Sequence, residues 1–176
     1  MVPLFAWMLL AHPDDFWWRV GTAAVFTVAI LTDLLDGHLA RKHNIVTDFG
    51  KIADPIADKA LTGMAFVGLS ILGELWWWVT IVILIREWGI TLMRFLVLRQ
   101  GVVLAANRGG KAKTVAQAIA LILMLLPIMA PFNAVGQIAM AIAFALTVIT
   151  GIDYLVSTVK RWKQQKGGTA NPAGVG

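Results

Sequence analysis

Eight residues between positions 33 and 58 stand at spacings that chemistry can use. They are Asp33, Asp36, Gly37, Ala40, Arg41, Gly50, Asp54 and Asp58, in the pattern D-x2-D-G-x2-A-R-x8-G-x3-D-x3-D. Four of the chain's ten acidic residues fill that pattern, between two hydrophobic segments, and Asp48 stands outside it. Residues three or four apart share a helix face, so Asp33 pairs with Asp36 and Asp54 with Asp58. Two antiparallel helices joined through positions 37–51 would bring the pairs together. Carboxylates at the edge of an apolar layer need compensating charge. Four hard oxygen donors suit Mg2+ or Mn2+ and not a soft metal. Two such ions about 3.5–4 Å apart would clamp a phosphate undergoing in-line displacement. Gly37 and Gly50 permit close approach of a ligand or helix, and Arg41 can fork onto phosphate oxygens. The plain alternative, a solvated loop with acidic helix caps, accounts for Asp48 but not for four carboxylates at helical spacing that run into apolar segments.

The elements that carry these residues are expected to be membrane helices. The chain has 176 residues, of which 59% are hydrophobic, against about 45–50% in a soluble domain. Its mean hydropathy is +0.75. Eight Trp against one Tyr fit anchoring at membrane interfaces. Cysteine is absent, which excludes disulfides and a thiolate metal site. The pattern predicts an all-α, polytopic membrane protein with six transmembrane helices. These are residues 2–10, 16–35, 55–72, 75–98, 113–129 and 132–159. The first is short for a crossing, which needs roughly 17–25 residues, so Met1 is expected to fall partway along it. No basic leader of a signal peptide precedes it. Residues 1–163 form one membrane domain, and the Gly- and Pro-containing 164–176 reads as a disordered cytoplasmic tail.

The cations orient the bundle. Arg41, Lys42, Lys51, Lys59, Arg99, Arg108, Lys111, Lys113, Lys160, Arg161, Lys163 and Lys166 fall on one set of connections, and only Arg19 on the other. The excess of Lys and Arg places the acidic pattern, the 99–113 loop and the C-terminus in the cytoplasm, at the cell (plasma or inner) membrane. Trp17–Trp18 and Trp76–Trp78 then flank outer turns as an aromatic belt. Lys160–Lys166 would meet anionic headgroups of the membrane lipids.

Further polar groups lie in the second half. Arg86 and Glu87 fall about ten residues into the fourth helix, near mid-membrane depth at 1.5 Å per residue. There they face a polar cavity or form a packing pair. Arg94 follows on nearly the same face, and Lys111 and Lys113 precede the next helix, whose N-terminus favours anions. Arg86, Arg94, Lys111 and Lys113 would therefore suit an acceptor that carries phosphate.

With every fixed position filled, the acidic window resembles the signature of the CDP-alcohol phosphatidyltransferases. That resemblance implies a six-helix membrane enzyme, usually a homodimer, in which an alcohol displaces CMP from a CDP-linked lipid. It implies metal ligands at Asp33, Asp36, Asp54 and Asp58, with Asp58 also the general base, and two Mg2+ or Mn2+ per site. It implies a nucleotide site at Gly37, Ala40, Arg41 and Gly50, with Thr32 as a further contact. The stretch R-E-x-x-I-T-x-x-R from Arg86 to Arg94, Gly101, and G-K-x-K-T-x-x-Q from Gly110 to Gln117 resemble the phosphatidylglycerophosphate synthase branch. That branch implies CDP-diacylglycerol as donor and sn-glycerol 3-phosphate as acceptor. It usually begins with a T-x-x-R element ahead of the first membrane helix, which this chain lacks. The alternatives are another acceptor (phosphatidylglycerol, inositol phosphate or serine) and, from a different class, a divalent-cation transporter. Transport would need acidic groups along a path across the membrane, and only Glu87 is deep. No feature points to nucleic acid.

Overall fold

The computed structural model describes the backbone of residues 2–42, 48–99, 108–127 and 130–168, and the side chains of 2–32, 59–93, 112–127 and 134–158. All regular structure among the described residues is helical: α1 (Val2–Ala11), α2 (Phe16–Lys42), α3 (Asp48–Ile71), α4 (Trp77–Arg99), α5 (Arg108–Leu125) and α6 (Ala130–Gly168). The all-α expectation holds. Only Ala134–Thr158, 25 residues long, is both long and apolar enough to cross a bilayer among the described residues. Val2–Ala11, Phe16–Thr32, Lys59–Ile71 and Ala112–Leu125 are shorter apolar stretches.

The helix ends differ from those expected. α2 continues to Lys42 rather than stopping near Leu35, so Asp33 to Arg41 are helical. A change from apolar to polar residues does not stop a helix. Gly37 costs about 1 kcal/mol in a helix, and the Leu, Ala, Arg and Lys that follow are good helix formers. α3 begins at Asp48, seven residues before Pro55, which therefore sits inside the helix and not at its start. α6 runs to Gly168, so the first residues of the 164–176 segment are helical.

Local chemistry sets the turns. Asp15 caps α2, its Oδ1 accepting the Trp18 backbone N–H at 2.8 Å. Trp18 in turn donates its indole N–H to the Met8 carbonyl at 2.6 Å, near the end of α1. Gly73, at φ 74°, ends α3. The Glu74 N–H reaches the Leu69 carbonyl at 3.0 Å and the Gly73 N–H reaches that of Ser70 at 3.2 Å. This Schellman arrangement needs the left-handed residue that glycine supplies, and it presents Glu74 to the bundle.

α3 and α4 run antiparallel, as do α5 and α6. Along α3 and α4, the Ser70 and Thr80 hydroxyls meet at 2.7 Å and Lys59 reaches Thr91 further on. Along α5 and α6, Gly136 packs on Met124 while Gln117 donates to Thr147 at 2.9 Å. The core joins α1 to α2 and α3 through the fully buried Phe5, Leu9, Phe26 and Leu69. Gly68 makes the α1–α3 approach possible, because a Cβ there would stand 2.3 Å from Leu9 Cδ2. Burying each of these large side chains contributes about 1.5–3 kcal/mol where the alternative is water.

At one end of this bundle, Arg19 is buried. It donates to both Glu74 carboxylate oxygens, at 2.7 and 2.8 Å. It also donates to the Leu125 and Met124 carbonyls, at 3.3 and 3.2 Å. One guanidinium thus ties α2, the α3–α4 turn and the end of α5. Trp17 and Trp76–Trp78, all exposed, stand at the same end.

Candidate functional site

The acidic pattern lies at the opposite end. Asp33 and Asp36 fall in the last part of α2, and Asp54 and Asp58 in the first half of α3. Gly37, Ala40 and Arg41 share α2 with the first pair, and Gly50 shares α3 with the second. The two helices pack against each other. The side chains of positions 33–58 lie outside the described residues, as do those of Arg94 and Lys111, which the backbone places on α4 and α5. Thr32 is exposed, immediately before the first aspartate. Among the described side chains no three His, Cys, Asp or Glu converge. The donor chemistry of the pattern, carboxylate oxygen only and paired at helical spacing on two packed helices, fits a hard divalent cation.

Just beyond Asp58 the described side chains line a partly open cavity of about 280 Å³ among α2, α3, α4 and α5. Its polar wall includes Lys59, Thr62, Glu87, Lys113 and Gln117. Ile30, Leu31, Ile119 and Ile122 make an apolar flank. Apolar walls with a few convergent polar groups are the usual make-up of a ligand pocket.

Hydrogen bonds hold the polar wall in place. Lys59 Nζ donates to Thr91 Oγ1, which donates to the Glu87 carbonyl at 2.8 Å, one turn back along α4. Lys113 Nζ, itself buried, is ion-paired with Glu87 Oε1. Arg86 Nη1 approaches the same carboxylate oxygen at 3.1 Å. Two cations therefore share one carboxylate, which leaves a positive charge in excess on this trio. The rest of Arg86 turns to α6, where Nη2 donates to Thr150 Oγ1 at 2.9 Å. Gly151 gives the Arg86 stem room: a Cβ there would meet Arg86 Cγ at 3.1 Å. Arg86 Nε is buried with no partner.

Of the four cations expected to bind an acceptor phosphate, the structure places Lys113 in the cavity wall. Arg86 is absent from that wall and is engaged by Glu87 and Thr150. Lys59, read from sequence only as an orienting charge, lines the cavity instead. Arg19, read as a charge beside an outer turn, is a buried clamp. Its signal was legible: it sits in an apolar helix, and Glu74 is the one acidic residue of the next outer turn.

The fold is a helical bundle that carries the complete acidic pattern at one end, beside a cavity with Lys59 and Lys113 in its wall. The family model for CDP-alcohol phosphatidyltransferase matches residues 1–149, and the chain belongs to that family. It is 49% identical over 142 residues to the probable phosphatidylglycerophosphate synthase of Mycobacterium tuberculosis, covering 81% of this chain and 68% of that protein. It is 37% identical over 180 residues to the CDP-diacylglycerol–glycerol-3-phosphate 3-phosphatidyltransferase of Bacillus subtilis, covering 94% and 91%. A protein of the same description from Rickettsia felis is 36% identical over 142 residues, covering 78% of each chain.

Proposed function

We propose that this chain transfers a phosphatidyl group from CDP-diacylglycerol to sn-glycerol 3-phosphate, giving phosphatidylglycerophosphate and CMP. The observation that carries the reading is the pairing of a complete acidic pattern on α2 and α3 with a lysine-lined cavity immediately after Asp58. The names of the relatives agree with it, since both substrates appear in the description of the Bacillus protein.

In this reading Asp33, Asp36, Asp54 and Asp58 hold two Mg2+ or Mn2+ ions, which when bound would neutralise the diphosphate and polarise the phosphorus. Gly37 and Gly50 leave room for the nucleotide, and Ala40 and Thr32 flank it. Asp58 takes the proton of the attacking hydroxyl, for which it must come within hydrogen-bond reach in the bound complex. Arg41 forks onto the phosphate of the departing CMP. Lys113 draws in the acceptor's phosphate, with Arg94 and Lys111 as further cations on α4 and α5.

The same reading has all six helices in the membrane and the acidic end in the cytoplasm. The distribution of Lys and Arg supports that orientation. It is strengthened by the burial of Arg19 against Glu74, because the one cation assigned to the outer side is neutralised within the fold. Two copies would pair as a homodimer, which the family resemblance supports.

The test is CMP release by detergent-purified protein supplied with CDP-diacylglycerol and Mg2+, across glycerol 3-phosphate, inositol phosphate, serine and phosphatidylglycerol. Release with glycerol 3-phosphate alone, abolished by Asp58→Asn, is the expected result. Release with another acceptor would keep the family chemistry and overturn the acceptor. Release that survives Asp58→Asn would overturn the role of Asp58.

A further inference from the structure

We propose that Thr150, on α6, is a positioning residue for recognition of the acceptor's phosphate: with Gly151 it holds Arg86 against Glu87, and so keeps the cavity wall cationic. The inference rests on the acceptor reading above and extends that site to a helix that does not line it. None of the described residues around the cavity comes from α6. Thr150 and Gly151 also lie just past residues 1–149, the stretch that the family model matches.

Glu87 lines the cavity with Lys113. A single oxygen of its carboxylate, Oε1, receives both the Lys113 ammonium and Arg86 Nη1, the latter at 3.1 Å. One carboxylate against two cations leaves one positive charge on the trio. Without Arg86 in place, Glu87 and Lys113 make a neutral pair, which has no net charge to offer an anion. A phosphate monoester carries about −1.5 to −2 charges at neutral pH, so this excess bears directly on how well the wall receives it.

Contacts from α6 seat Arg86. Its Nη2 donates to Thr150 Oγ1 at 2.9 Å. That hydroxyl sends its own proton to the Leu146 carbonyl at 2.6 Å, one turn back, so toward Arg86 its oxygen can only accept. Beside it the helix comes close to the arginine stem at Gly151, where a Cβ would stand 3.1 Å from Arg86 Cγ and 3.2 Å from Nε. Arg86 Nε is buried without a partner, so the two Nη groups hold the guanidinium, one on Glu87 and one on Thr150. α6 uses the same device about a turn earlier. Thr147, its proton on the Ala143 carbonyl at 2.6 Å, accepts from Gln117 Nε2 at 2.9 Å, and Gln117 lines the cavity. Thr147 and Thr150, three apart and on one helix face, thus brace the wall from behind.

The alternative is that Thr150 only packs α6 on α4. Steady-state kinetics with both substrates varied separates the two. Thr150→Val keeps the size of the side chain and removes the acceptor oxygen. It is expected to raise the KM for glycerol 3-phosphate about three- to thirtyfold, the range of couplings carried through an intermediate residue. The KM for CDP-diacylglycerol should stay within about twofold, and Thr150→Ser, which keeps the hydroxyl, should restore the acceptor KM. Inorganic phosphate should compete with glycerol 3-phosphate, and its inhibition constant should rise in Thr150→Val by the same factor as the KM. Arg86→Met should raise that KM too, and adding Thr150→Val to it should raise it no further, because the threonine acts through the arginine.

Gly151→Ala presses on the Arg86 stem and removes no hydrogen bond, and it serves as the second variant should Thr150→Val not fold. A rise of a few fold in the acceptor KM alone is expected there. An unchanged acceptor KM in either folded variant, with only kcat or thermal stability reduced, would overturn the proposal in favour of packing. Effects of Thr150→Val and Arg86→Met that simply add would overturn it as well. A wild type that releases no CMP with glycerol 3-phosphate would instead overturn the acceptor reading on which the proposal stands.

Discussion

Removing Glu74 should loosen the end of the bundle remote from the chemistry, and by a predictable amount. Glu74→Ala leaves the Arg19 guanidinium, whose side chain is 6% exposed, with two backbone carbonyls as its remaining partners. Breaking a fully buried ion pair costs about 3–5 kcal/mol. Exposed pairs contribute about 0–1 kcal/mol. The Glu74 side chain is 35% exposed, so water reaches one partner and not the other. An intermediate loss of about 2–3 kcal/mol follows. For a chain of this size that corresponds to a fall in Tm of roughly 5–10 °C. Thermal unfolding in detergent, followed by the fluorescence of the eight tryptophans, reads it directly. Arg19→Leu combined with Glu74→Leu should fall less than the sum of the single changes, because no charge is left unpaired. The acceptor and lipid KM values should not change in any of these variants, since neither Arg19 nor Glu74 lines the cavity and the acidic pattern lies at the other end of the bundle. A Glu74→Ala protein that melts within about 1 °C of wild type would refute the claim that this pair holds α2, the α3–α4 turn and α5 together.

Three further outcomes are expected. Gly68→Val forces Leu9 from its buried site, and overpacking of this kind costs about 1–3 kcal/mol, measurable as a lowered Tm in the same assay. A change at Gly89, where an added Cβ meets nothing within 4 Å, should be close to silent by comparison. Treatment with EDTA should abolish CMP release, and Mg2+ or Mn2+ should restore it while Ca2+ restores less, because the larger ion relaxes the octahedral geometry. Activity that persists after thorough chelation would remove the metal from the reading of the four aspartates.

The proposed chemistry is read from the chain alone because its elements are local. The acidic pattern depends on spacing along two helices, and helical spacing alone makes Asp33–Asp36 and Asp54–Asp58 into pairs. Composition and hydropathy sufficed for an all-helical protein, and Gly73 for a turn. The helix ends were less legible. The shift from apolar to polar at Leu35 marks where the surroundings change, not where the backbone hydrogen bonds stop. For the same reason α2 carries the first half of the pattern, and α3 starts before Pro55.

Only the tertiary structure shows which cations meet which partners. Lys59 and Lys113 are 54 positions apart and read as two similar members of a basic set until α3, α4 and α5 are packed. Their convergence depends on the rotation of each helix about its axis, which is set by contacts such as Leu9 on Gly68 and Gly63 against Leu84. Arg86 is met by α6, which gives it Thr150 and the space above Gly151. Arg19 and Glu74 meet across 55 positions because a Schellman turn and a capped helix deliver them to the same end of the bundle. Sequence determines which charges the chain must accommodate; the low tolerance of a packed interior for an unpaired charge determines which of them meet.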